Sequence, residues 1–171
     1  MAWPTAPDSA PRDGSSAAGP KPAVPVLLGL AGLIPFVAAA AGTVLLPDIL
    51  APVAYYAALV YGLAILSFLG GIHWGVALRT GGRLRFVWSV VPSLIGFFAV
   101  FAPRPVALMA LAAGFVIAGA VDIIVFRREG PRWFAQLRLG LTVVATAALI
   151  FTGLSADVLR VDQFGSIVRP G

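Results

Sequence analysis

Five long apolar runs, separated by short joints rich in Pro, Gly or Arg, fill the middle of this 171-residue chain. They cover about Val24–Leu46, Pro52–Leu78, Leu84–Ala102, Pro105–Phe126 and Phe134–Leu154. Each comes near the ~20 residues that a helix needs to cross ~30 Å of hydrocarbon. None alternates apolar and polar positions in the ~10-residue pieces of a barrel strand. The pattern therefore predicts an all-α fold, an integral membrane bundle of five transmembrane helices over residues 24–154. A polar tail over residues 1–23, rich in Pro, Ala, Ser and Gly, has too little apolar surface to order itself and no apolar core of a signal peptide, so it is expected to be disordered and retained. A second polar tail is expected over residues 155–171.

Composition sharpens this. The chain is 60% hydrophobic and only 11% charged, with a mean hydropathy of +0.96. Soluble domains carry roughly 25% charge, so an ordinary water-soluble globule is excluded. The net charge of +5 needs no nucleic acid to explain it, because the basic residues sort by side. Arg12, Lys21, Arg79, Arg83, Arg85, Arg127, Arg128, Arg132 and Arg138 fall on one side, against Arg104, Arg160 and Arg169 on the other. The excess marks the cytoplasmic side, which puts the N-terminus in the cytoplasm and the C-terminus opposite. Trp74, Trp88 and Trp133 fall near the cytoplasmic boundary and Tyr55 and Tyr56 near the far one, as interfacial aromatic belts do. The basic loops also suit anionic lipid headgroups, although orientation alone accounts for them.

The chemistry available is sparse. There is no cysteine, which removes disulfides, zinc–thiolate sites, iron–sulfur clusters and cysteine nucleophiles. One histidine cannot build a bis-histidine haem site, and no phosphate loop, dinucleotide fingerprint or hydrolase elbow is present. No metal, cofactor or catalytic residue is expected.

Three ionisable groups nevertheless lie inside the predicted helices. His73 is about five residues from the cytoplasmic end of the second, Asp122 about four from that of the fourth, and Arg138 about one turn into the fifth. Asp122 sits toward a helix C-terminus and Arg138 toward an N-terminus, where the helix dipole repels each. Their charges are opposite, their depths match, and their helices are antiparallel neighbours. An Asp122–Arg138 ion pair with His73 as third member is the simplest resolution, either as structure or as a proton relay, quinone-headgroup contact or ion site. Small residues offer packing faces: Ser67, Gly71 and Gly75 on the second helix, and Gly114 and Ala118 on the fourth. The first set predicts a close neighbour on one face of a central second helix, with His73 on the opposite face.

Several stretches then look familiar together: GLAGLIPF (Gly29–Phe36), YGLAILSFLGGIHWGVAL (Tyr61–Leu78), WSVVPSL (Trp88–Leu94), AGAVD (Ala118–Asp122) and PRWFAQLRLGLTVV (Pro131–Val144). In this order they resemble an uncharacterised family of small bacterial membrane proteins that includes the mitochondrial transmembrane protein 69 of eukaryotes. The resemblance implies a multi-pass protein of the bacterial inner membrane and a mitochondrial setting for its relatives. It implies no activity, so no catalytic residue is carried over.

Taken together, these features favour a non-enzymatic inner-membrane protein, an accessory, stabilising or assembly subunit of a larger complex, with a respiratory complex suggested by the mitochondrial kinship alone. Its partners would be the lipid bilayer and other membrane-protein subunits. The alternative is a small oligomeric transporter or proton- or ion-conducting protein using His73, Asp122 and Arg138. A third reading is a quinone- or lipid-handling enzyme with its site between Trp74 and Trp88.

Overall fold

The computed structural model describes residues 23–47, 49–129 and 132–167, with side chains described except at 126–129, 132 and 156–167. Residues 1–22 and 168–171, parts of the tails expected over 1–23 and 155–171, and the side chains of Arg127, Arg128 and Arg132 lie outside the described residues. Among the described residues six helices follow in order: α1 (Ala23–Ala31), α2 (Ile34–Leu45), α3 (Ala51–Thr80), α4 (Arg83–Ala99), α5 (Arg104–Glu129) and α6 (Arg132–Ile167). There is no strand among the described residues.

The first predicted span is thus two helices, not one. Pro35 has no N–H to donate, and the chain turns at Gly32 and Leu33. The Gly32 carbonyl is taken up instead by the Tyr61 hydroxyl, which donates to it at 2.9 Å. No residue of α1 is buried, so this end of the span lies at the periphery.

Among the described residues, four segments are long and apolar enough to cross a membrane: Ala23–Leu45, Ala51–Thr80, Arg104–Val125 and Trp133–Ser155. Helix α4 has 17 residues, about 25 Å at 1.5 Å per residue, which is the short limit of a span. It packs along α3 as a hairpin partner. The reversal between them uses Gly81 at φ 74° and Gly82 at φ 107°, conformations that only glycine adopts freely. Past Leu154 the helical backbone of α6 continues to Ile167, through most of the segment read as a C-terminal tail.

Helix α3 is the axis of the bundle and touches α2, α4, α5 and α6. Its inward face carries Ala58, Leu59, Leu66, Leu69 and His73, against Leu108, Leu111 and Phe115 of α5 and Leu149 of α6. The close approaches are made by glycines other than those expected. A Cβ at Gly70 would overlap the Ser89 carbonyl of α4, and one at Gly96 would overlap the Leu63 side chain of α3. Around Gly71 and Gly75 there is nothing within 4 Å. The expected Ser67–Gly71–Gly75 packing face is therefore corrected: it points out of the bundle, and the true contact line runs through Gly70, about 100° around the helix. A helix that is apolar on every side does not reveal which small residue faces inward. Of the α5 pair, Ala118 is buried as expected, and Gly114 is buried against Leu66 and Ile95 of α3 and α4.

The opposite end of the bundle from Arg79, Arg83 and Arg85 is closed by aromatic and cationic contacts. The Tyr55 hydroxyl donates to the Arg104 carbonyl at 2.5 Å. The Arg104 guanidinium lies 5.9 Å and 5.6 Å from the ring centres of Tyr55 and Tyr56.

Candidate functional site: a buried His–Asp–Arg clamp

Three helices bring their ionisable residues to one place. His73 of α3, Asp122 of α5 and Arg138 of α6 lie six or seven residues from the helix ends at the Arg79 side of the bundle. That is roughly 10 Å along each helix axis, deeper than the apolar runs alone imply, because the helices extend through their flanking polar residues. The three are 3%, 3% and 9% exposed.

Asp122 is the hub. Its Oδ1 lies 2.6 Å from His73 Nε2, and its Oδ2 accepts from Arg138 Nε at 2.5 Å. A carboxylate only accepts, so His73 Nε2 carries the proton in this bond. Each Asp122 oxygen thus holds a different helix, and one carboxylate ties α3 to α6 through α5. In an apolar interior an isolated charge costs several kcal/mol, roughly, and here Arg138 and Asp122 neutralise each other.

Packing sets this geometry. Gly119, one turn before Asp122, lets α6 approach: a Cβ there would stand 2.7 Å from Thr142 Oγ1. On the other side Trp88 meets His73 edge-to-face, with ring centres 6.5 Å apart and planes at 87°. Trp74 points elsewhere; it is 48% exposed and packs on Phe86 at 5.2 Å. The two tryptophans do not enclose a common site, which corrects the reading that placed one between them. Trp133 is half-buried and packs on Phe134 at 5.9 Å. Arg79 and Arg83 are exposed, and Arg85 donates to the Thr80 hydroxyl at 3.3 Å.

Two features of the site escape sequence reasoning. Gly119 carries no pattern that separates it from Gly114. The second is a half-enclosed cavity of about 160 Å³ beside Arg138, walled by α1, α2, α3, α5 and α6. It lies where the α1–α2 joint at Gly32 and Leu33 meets α3, α5 and α6, a meeting that only the packed structure shows.

The architecture defines a class: a small multi-pass helical membrane bundle, locked near one end by a buried His–Asp–Arg clamp. Comparison with known proteins agrees. Residues 21–154 match the family described as protein of unknown function DUF3429, and the chain belongs to that family. It is 36% identical over 149 residues to Transmembrane protein 69 of Xenopus tropicalis, covering 81% of this chain and 56% of that protein. It is 31% identical over 140 residues to Transmembrane protein 69 of Mus musculus, covering 78% of this chain and 56% of that protein. The chain thus spans little more than half the length of these curated relatives. No solved structure matches.

Proposed function

We propose that the protein is a non-enzymatic, multi-pass accessory or assembly component of a larger membrane complex, oriented with its Arg79–Arg85 end in the cytoplasm. One observation carries this reading. Both oxygens of Asp122 are engaged within the bundle, at 2.6 Å and 2.5 Å, by side chains from two other helices. A transport or catalytic carboxylate needs a free oxygen or an open approach, and Asp122 is 3% exposed. The clamp instead has the form of a device that fixes helix register.

Proton or ion conduction is the second reading, favoured by the continuous His73–Asp122–Arg138 chain of contacts. It is favoured also by Thr142 and Thr146, one and two turns beyond Arg138 on α6, whose buried hydroxyls have no partner among the described residues. Against it stand the hydroxyls farther along the bundle. Thr152 donates to Ala148 O at 2.8 Å and Thr43 to Ala40 O at 2.7 Å, so each serves its own helix. They do not extend a polar track toward Tyr55 and Arg104.

The bacterial inner membrane and a respiratory complex are the first settings to examine, following the sequence resemblance. The test is extraction in mild detergent at native expression, followed by native electrophoresis. The proposal expects the protein in a defined high-mass species with reproducible partners. A lone monomer would overturn it.

A further inference from the structure

The turn between α3 and α4 carries three cations. Arg79 stands in the last turn of α3 and Arg83 in the first of α4, and both side chains are exposed. Arg85 is half-buried, and its guanidinium reaches back across the turn to the Thr80 hydroxyl at 3.3 Å. Thr80 is itself held, donating to the Val76 carbonyl at 3.0 Å. Asp122 is the one carboxylate among the described side chains, and it is engaged by His73 and Arg138 inside the bundle. None of the described carboxylates therefore neutralises Arg79 or Arg83.

Orientation in a membrane needs only that basic residues lie on one side. It does not need them gathered at a turn with an open face. Gly81 and Gly82 have no side chain, and a Cβ at either would meet nothing within 4 Å. A bulky anionic head group can reach this turn from outside without displacing protein. The N-terminus of α4 adds the positive end of its dipole to the same field.

The surroundings decide which anion fits. Leu78 and Leu84, next to the two arginines in sequence, are 69% and 85% exposed. Trp74, roughly 7 Å deeper along α3, is exposed and packs on Phe86 of α4 at 5.2 Å. An indole at this depth sits where head groups meet acyl chains. A soluble anion or a nucleic acid would use the guanidinium groups and leave these apolar side chains uncovered. An anionic phospholipid supplies both parts, a phosphate for the arginines and an acyl chain for the leucines and Trp74. A zwitterionic lipid has no net charge and gains little from the field.

We propose that the α3–α4 turn binds the head group of an anionic phospholipid. Arg79 and Arg83 donate to the phosphate over the open glycines, and an acyl chain runs down the bundle past Leu78 and Trp74. Arg85, tethered to Thr80, adds to the field. The inference requires neither a particular leaflet nor membership in a larger complex.

Native mass spectrometry of the full chain in detergent, titrated with phosphatidylglycerol or phosphatidylcholine, tests this. Phosphatidylglycerol is expected to fill a saturable site and to bind more than about 10-fold more tightly than phosphatidylcholine. Arg79→Gln and Arg83→Gln should each weaken it about 5-fold, and together about 20-fold, the weight of one surface cation apiece. Arg79→Lys/Arg83→Lys keeps the charge and should stay within about threefold of the wild type. Arg127→Gln/Arg128→Gln removes the same charge from another loop and should cost less than about twofold. Equal affinity for the two lipids, or no loss in Arg79→Gln/Arg83→Gln, would overturn the site. An equal loss in Arg127→Gln/Arg128→Gln would mean diffuse attraction and would overturn it as well. Displacement of the lipid by inorganic phosphate would overturn the lipid assignment in favour of a free anion.

Discussion

Gly70 of α3 lies against the Ser89 carbonyl of α4 so closely that a Cβ at Gly70 would overlap the oxygen, whereas its neighbour Gly71 has nothing within 4 Å. The two residues are adjacent in sequence and opposite in consequence. Gly70→Ala should destabilise the bundle by about 3 kcal/mol, the upper range of overpacking against an unyielding backbone. Gly71→Ala should be neutral or stabilising by up to about 1 kcal/mol through helix propensity. Thermal or denaturant unfolding in one detergent compares them directly.

That pair also shows where reading the sequence stops. Opposite charges at matching depth on antiparallel neighbours made the Asp122–Arg138 contact legible, because lipid leaves such groups few alternatives. The inward face of α3 was not legible, because apolar residues surround that helix and periodicity carries no direction. The cavity was invisible for a different reason: its walls come from residues as distant as Leu28 and Ala145, and no local pattern records the gap between them.

Gly119 and Thr142 form a second steric pair, with a Cβ at Gly119 falling 2.7 Å from Oγ1 and 2.8 Å from Cγ2. Gly119→Ala should cost about 1–3 kcal/mol. Thr142→Ala removes both obstructing atoms, so the double variant should recover most of that loss. Full additivity of the two single effects would contradict the contact.

The Tyr61 hydroxyl caps the Gly32 carbonyl across the α1–α2 break at 2.9 Å. Tyr61→Phe should cost about 1 kcal/mol. It should also speed hydrogen exchange of the amides around residues 28–34, with exchange in α5 unchanged. Uniform exchange change across the chain would point to global loosening instead.

Because the chain has no cysteine, single cysteines report topology without background. Residues introduced at Gly82 and Pro103 flank α4 and should be labelled by an impermeant reagent from opposite sides, Gly82 from the cytoplasm. Labelling of both from one side would mean that the 17-residue α4 does not cross.

The central claim is that Asp122 and Arg138 are one buried unit. Removing either alone strands a partner, so Asp122→Asn and Arg138→Gln should each destabilise by about 3–5 kcal/mol. The most direct measurement is a double-mutant cycle on reversible unfolding in bicelles. The account predicts that Asp122→Asn/Arg138→Gln is at least as stable as the better single variant, with a coupling of 2 kcal/mol or more, roughly. A double variant whose loss equals the sum of the two single losses would contradict it.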